Sequence, residues 1–181
     1  MDTTLVVVLV VALALIGIAL YFFRRRTALR QRFGPEYERA VEAAGSPMRA
    51  EAELEARAKR VSKYHIQPLS PDDGVRFSTA WRQLQARFVD DPNGAVHEAD
   101  RLVTDLMATR GYPMTDFEHR AEDLSVDHPA VVNHYRAAHQ IARRQSARDR
   151  VTTEDLRQAV MHYRALFEDL LEVGGSQRRP A

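Results

Sequence analysis

LVVVLVVALALIGIALYFF, Leu5 to Phe23, runs for 19 residues without a charge. At a helical rise of about 1.5 Å per residue it spans roughly 28 Å, close to a hydrocarbon core of about 30 Å. The competing reading is a cleaved secretory signal, whose apolar stretch is usually about 7–15 residues behind a basic segment. Here MDTT precedes the run, with an acid and no basic side chain, and the A-x-A pattern of Ala12–Ala14 falls in its middle. The segment therefore reads as a retained transmembrane helix, with residues 1–26 as anchor and basic flank. Signal cleavage and release of a secreted helical protein is the alternative.

Charge sets the orientation. Arg24, Arg25, Arg26, Arg30 and Arg32 crowd the C-terminal flank, against Asp2 and the α-amino group on the other side. The positive-inside rule places the arginines in the cytoplasm, giving an N-out protein of the cell membrane with its soluble part cytoplasmic. Tyr21, Phe22 and Phe23 stand where interfacial aromatic anchors belong. The five arginines are the candidate membrane-surface contacts, each worth about 1 kcal/mol beside anionic head groups. Membrane lipid is thus the first expected partner.

Beyond the anchor, acids and bases are mixed along the chain and the net charge is +1, so no electrostatic footprint for nucleic acid appears. Lysine occurs only at Lys59 and Lys63 among 26 basic residues, a skew expected of a GC-rich, bacterial genome. There is no cysteine, which excludes disulfides, thiolate nucleophiles and zinc–cysteine sites.

Helix signals fill the rest of the 181 residues. Gly34-Pro35 interrupts any helix leaving the membrane and opens a short one ending near Gly45. Ser46-Pro47 starts a charged helix whose apolar stripe, Leu54, Ala58 and Val61, is thin. Residues 27–69 therefore read as a juxtamembrane helical arm, solvated or seeking a partner. Ser70-Pro71 opens a helix with Phe77, Trp81, Leu84 and Phe88 on one face. Asp91-Pro92 opens another, carrying Val96, Ala99, Val103 and Leu106 and closed by Gly111 and Pro113. Thr115 to Glu118 reads as a capping box. VDHP, Val126 to Pro129, is expected to open the next helix, and Thr152 the last, with Leu156, Val160, Tyr163, Phe167 and Leu170 as its stripe. No window alternates with the period of a strand. The fold class is all-α: one transmembrane helix, then a bundle of about four to five helices over residues 70–172, with 173–181 as a disordered tail.

The tetrapeptide HYRA occurs at His134–Ala137 and again at His162–Ala165. On a helix Tyr135 shares a stripe with Val132 and Ala138, and Tyr163 with Val160 and Phe167, so both tyrosines point to the core. The adjacent histidines and arginines lie about 100° away, so one helix alone cannot converge the three side chains. The motif reads as structural tyrosine with polar flanks.

Enzyme signatures are missing. HEADR at His97 begins like H-E-x-x-H, but Arg101 stands at the second ligand position. No glutamate precedes a histidine by three residues, so the ligand spacing of di-iron bundles is absent. His134 and His139, five apart, do not share a face. His128 beside Asp127 suits a titrating switch and a helix cap equally. No glycine-rich phosphate loop and no G-x-S-x-G occurs. No catalytic residue, metal ligand or cofactor is therefore assigned.

RFGPEYERAV (Arg32–Val41), RFVDDPNGAVHEADRLV (Arg87–Val103), RGYP (Arg110–Pro113) and LSVDHPAVVNHYRAAH (Leu124–His139) together resemble an uncharacterised bacterial family of short proteins with one N-terminal hydrophobic segment. The resemblance implies a helical soluble region and a bacterial source, and it brings no activity or residue role. The sequence leads to a membrane-tethered cytoplasmic module that scaffolds or binds an unidentified protein. The alternative is an enzyme or small-ligand receptor with a site built across helices around Trp81, Tyr135 and Tyr163.

Overall fold

A computed structural model describes residues 3–147 and 150–176. Among these the chain forms eight helices and no strand: α1 Thr3–Phe33, α2 Pro35–Ala44, α3 Pro47–Val61, α4 Pro71–Arg87, α5 Pro92–Thr109, α6 Phe117–Asp127, α7 Val132–Ser146 and α8 Thr153–Ser176. Seven helices thus follow α1, more than the four to five expected. Five of them, α4–α8, lie in the segment read as the bundle, and the segment read as an arm contributes α2 and α3. Most of the segment read as a tail, 177–181, lies outside the described residues, and α8 is helical through Ser176.

The chain divides into two compact units, residues 1–56 and 57–181. In the first, every side chain from Val6 to Phe23 is exposed. By length and composition α1 can cross a membrane. It continues past the apolar run to Phe33, where Gly34 (φ 49°) breaks it and Pro35 starts α2 without needing an amide donor. Leu29, Phe33, Tyr37, Ala40, Ala50 and Leu54 are the buried apolar residues of this unit. Leu54 is fully buried, so the thin stripe of α3 is covered rather than solvated. Glu51 on the same helix is buried too, and its carbon stem adds apolar area that a residue-type reading misses.

The second unit has a continuous core. Phe77, Trp81 and Leu84 from α4, Val96, Ala99, Val103 and Leu106 from α5, Val132, Tyr135 and Ala138 from α7, and Tyr163, Leu166, Phe167 and Leu170 from α8 all belong to it. The closest helix partners are α7 with α8 and α5 with α8. Start signals act as their chemistry dictates. Ser70 Oγ accepts from the Asp73 amide, Asp91 from the Gly94 amide at 2.8 Å, and Thr152 and Asp155 exchange bonds as a capping box.

Two boundaries differ from the sequence reading. The cap of α6 is Asp116, which accepts from the His119 amide, and not Thr115. VDHP closes α6 instead of opening α7: His128 is the C-cap, its amide bonded to the Leu124 carbonyl, and α7 begins only at Val132. A proline forbids the helical bond at its own nitrogen, and whether that starts or stops a helix depends on what lies upstream.

One turn requires glycine outright. Gly111 (φ 93°) ends α5 in a Schellman pattern, with Gly111 N–H bonded to the Ala108 carbonyl and Tyr112 N–H to that of Met107. A Cβ there would stand 2.4 Å from the His65 carbonyl oxygen. The extended strap after α3 crosses the helix end at this point, with Gln67 N–H bonded to the Arg110 carbonyl.

Candidate functional site

The two HYRA segments meet each other. His134 and His162 stand with their Nδ1 atoms 2.8 Å apart across the α7–α8 pair. One residue along, the rings of Tyr135 and Tyr163 lie edge to face with centroids 6.4 Å apart. The histidine and the tyrosine of the motif thus each face their own counterpart, as residues near the axis of a two-fold interface do. The side chains split by position. The histidines are at the rim, His134 exposed and His162 half-buried, while both tyrosines are fully buried. The arginines do not match: Arg164 is exposed and bonds Glu168 at 2.6 Å, whereas Arg136 is buried, against the expectation of a flanking residue.

Both tyrosine hydroxyls have partners on other helices. Tyr163 Oη donates to Asp100 at 2.7 Å, and the Arg120 Nε–H donates to Tyr135 Oη at 3.3 Å. Burial raises both phenol pKa values; the Asp100 charge adds to the rise at Tyr163, and Arg120 opposes it at Tyr135. Neither hydroxyl is a base or nucleophile near neutral pH. Trp81, the third residue of the cross-helix alternative, stacks on Phe167 with centroids 4.6 Å apart, and its indole N–H is buried without an acceptor. All three rings are packed into the core.

The histidine pair has the geometry of a hydrogen bond. The ring centroids are 5.1 Å apart, so the two ring radii and the N···N separation lie along nearly one line. The nitrogen lone pairs aim at each other, and a chelate would need both aimed at a common third point. Among the described residues no group of three metal-ligating side chains comes together. His162 is held below the usual histidine range, first by burial and then by the charge of His134.

A second polar cluster joins the ends of α5 and α6 to Asp169 and Leu170 of α8. Buried His128 bonds Asp169 through Nδ1 and Tyr112 Oη through Nε2 at 3.1 Å. Tyr112 Oη also reaches Asp127 at 3.4 Å, and Arg110 donates to the Leu170 carbonyl at 3.0 Å. Burial lowers the His128 pKa and the Asp169 carboxylate opposes that shift. The partner of His128 is thus Asp169, 41 residues away, and not its neighbour Asp127. The sequence places His128 at a helix boundary but carries no sign of this pairing. His128 and Tyr112 are each about 3% exposed, so the centre of the cluster is buried where it fastens the ends of α5 and α6 to α8.

The arginines of the α1 flank are partly engaged within the first unit. Arg25 forms a two-pronged pair with Glu55, both contacts at 2.5 Å. Arg30 bonds Glu38 at 2.8 Å and lies over the Tyr37 ring, and Arg26 donates to Tyr37 Oη at 3.1 Å. Tyr37 in turn donates to Glu51 at 2.9 Å. Arg24 is exposed, and the Arg32 guanidinium lies 5.8 Å from the Phe33 ring centroid.

Set against family models, curated proteins and solved structures, the chain matches none of them. The resemblance to an uncharacterised bacterial family therefore gains no support from these comparisons, and any functional reading rests on the chain itself.

Proposed function

We propose that the protein is a single-pass membrane protein, N-out, whose helical part works in the cytoplasm as a tethered protein-interaction or scaffolding module. One observation carries the reading. The α1 side chains from Val6 to Phe23 are all exposed, and an arginine-rich flank follows directly. An uninterrupted apolar helix surface of this size is costly in water and favourable in lipid. Arg24, Arg25, Arg26, Arg30 and Arg32 give the orientation and face the inner head groups. Tethering raises the local concentration of the helical units for partners at the same membrane. The aromatic residues that would line a cross-helix site, Trp81, Tyr135 and Tyr163, are packed in the core instead, which favours a binding surface over a ligand pocket.

A fusion of a cytoplasm-dependent reporter after Ala181, combined with the mass of the mature chain, tests the proposal. The reporter is expected to be active and the N-terminus to be Met1 or Asp2. A mature chain beginning beyond Ala14, or a reporter active only outside, overturns it. Neutralising Arg24, Arg25 and Arg26 together is expected to give mixed orientation, because they supply most of the charge bias.

A further inference from the structure

We propose that His134 and His162 form a proton-bridged pair that clamps α7 to α8 at neutral pH and lets go when both rings are charged. The 2.8 Å, nearly collinear Nδ1···Nδ1 contact can exist only while one nitrogen carries a proton and the other a free lone pair. In the neutral pair one ring donates and the other accepts. A first added proton goes to the outward nitrogen of the donor and turns the bridge into a charge-assisted bond, which shortens and strengthens it. A second proton has only the accepting lone pair left to bind. It places two N–H groups and two positive charges nose to nose, and the rings must part. The pair therefore takes up protons in two separated steps that belong to both residues.

On α6, which packs against α7, Arg120 bonds Tyr135 and the Thr115 carbonyl, and His119 bonds Asp116. On α8 the charged neighbours satisfy one another, Glu154 with Arg157 and Arg164 with Glu168. On α7, Arg136 bonds Asn133, and Arg143 and Arg144 lie at the far end of the helix. On α5, Asp100 accepts from Tyr163, and His97 accompanies Gln145. The charge that acts on His162 is that of His134, and burial acts in the same direction. A histidine whose folded pKa is depressed stabilises the fold above its unfolded value of about 6.5 and loses that contribution as pH falls through the folded value. The clamp is closed at neutral pH and opens in acid. The adjacent Tyr135 and Tyr163 carry the buried side of the same helix pair, so parting of the histidines is transmitted to the core.

The test uses the full chain in detergent micelles, labelled with 15N-histidine, with imidazole nitrogen shifts followed from pH 8 to pH 4. His134→Gln and His162→Gln each remove one of the seven histidine signals and so identify the pair. In the wild type the two rings are expected to share two separated steps. In His134→Gln the lower step of His162 is expected to move up by on the order of one pH unit, and in His162→Gln the signal of His134 is expected to collapse to a single step. Melting curves at pH 7.5 and pH 5 supply a second reading: the wild type should lose more melting temperature on acidification than either variant. Single, independent titrations that ignore replacement of the partner overturn the proposal, as does an acid-induced loss of melting temperature equal in all three proteins.

Discussion

Residues 1–56 and residues 57–181 place their apolar side chains in opposite ways. In the first unit the apolar run from Val6 to Phe23 lies on the outside, and polar anchoring comes from Arg25–Glu55, Arg30–Glu38 and the Arg26–Tyr37–Glu51 chain. In the second, aromatic rings from α4, α7 and α8 fill the interior, and ion pairs such as Arg164–Glu168 decorate the rim. The difference separates an apolar exterior from a packed interior. The first unit carries a helix long and apolar enough to cross a membrane, whereas the second buries its apolar side chains against one another. Deleting an interior ring should therefore wound the second unit far more than removing an ionic partner wounds the first.

The sharpest way to break that contrast is Tyr163. Its ring is fully buried against Tyr135 and its hydroxyl bonds Asp100. Tyr163→Ala is expected to cost about 3–5 kcal/mol, the range for truncating a buried aromatic. Tyr163→Phe keeps the ring and removes one hydrogen bond to a carboxylate, so it should cost about 1.5 kcal/mol, the low end for such bonds. Asp100 is half-exposed and turns to water when its donor is lost, which is why the low end applies. Denaturant melts of the two variants check the ordering. Equal costs would mean that the hydroxyl, and not the ring, holds α8 to α5.

Gly111→Ala comes next. The substitution must hold alanine at a φ of 93° and find room for a Cβ 2.4 Å from the His65 carbonyl. The backbone conformation alone costs about 1–3 kcal/mol for a non-glycine residue. The clash is with backbone and not with a flexible side chain, so the strap at His65–Gln67 has to lift. Loss of hydrogen-exchange protection at the Gln67 amide, whose acceptor is the Arg110 carbonyl, would report that lifting. A neutral Gly111→Ala would show that the strap is held elsewhere.

Gly111 also marks how far the sequence could be read. Residues whose role is set within one turn were legible: Ser70, Asp91 and Thr152 as caps, Pro35 and Pro47 as helix starters, and Gly111 as the left-handed stop. Thr115 and Asp116 are both good caps one residue apart, and only the direction in which the chain enters α6 selects the second. The stripe periodicity put Tyr135 and Tyr163 in the core, where they lie. Their meeting, and the His134–His162 contact, depends on how α7 slides along α8, a register fixed by packing and invisible in either helix alone. The same holds for His128 and Asp169, joined from α6 and α8. The repeat of HYRA was the one sequence signal for the histidine pair, and it became meaningful only once the two helices were laid side by side.

The smallest expected effect sharpens the comparison from the ionic side. Glu55 is held below the usual carboxylate range chiefly by its hydrogen bonds from Arg25. Both partners keep much of their side chains in solvent, 28% for Arg25 and 44% for Glu55, so water replaces most of what Glu55→Gln removes. The melting temperature of the full chain is expected to stay within error of the wild type. Orientation in the membrane should also stay the same, for a separate reason. Insertion reads lysines and arginines near the end of the apolar segment, and acids count for little in that choice. On the proposed topology, Arg25 is expected to orient the helix whether or not Glu55 later takes it up. Placing the Ala181 reporter behind Glu55→Gln checks this directly. An unchanged reporter keeps the two roles of Arg25 apart, first orienting the helix and then pairing with α3. A change in reporter activity would mean that the acid neutralises the arginine before the helix commits, and that the ionic layer of the first unit forms during insertion.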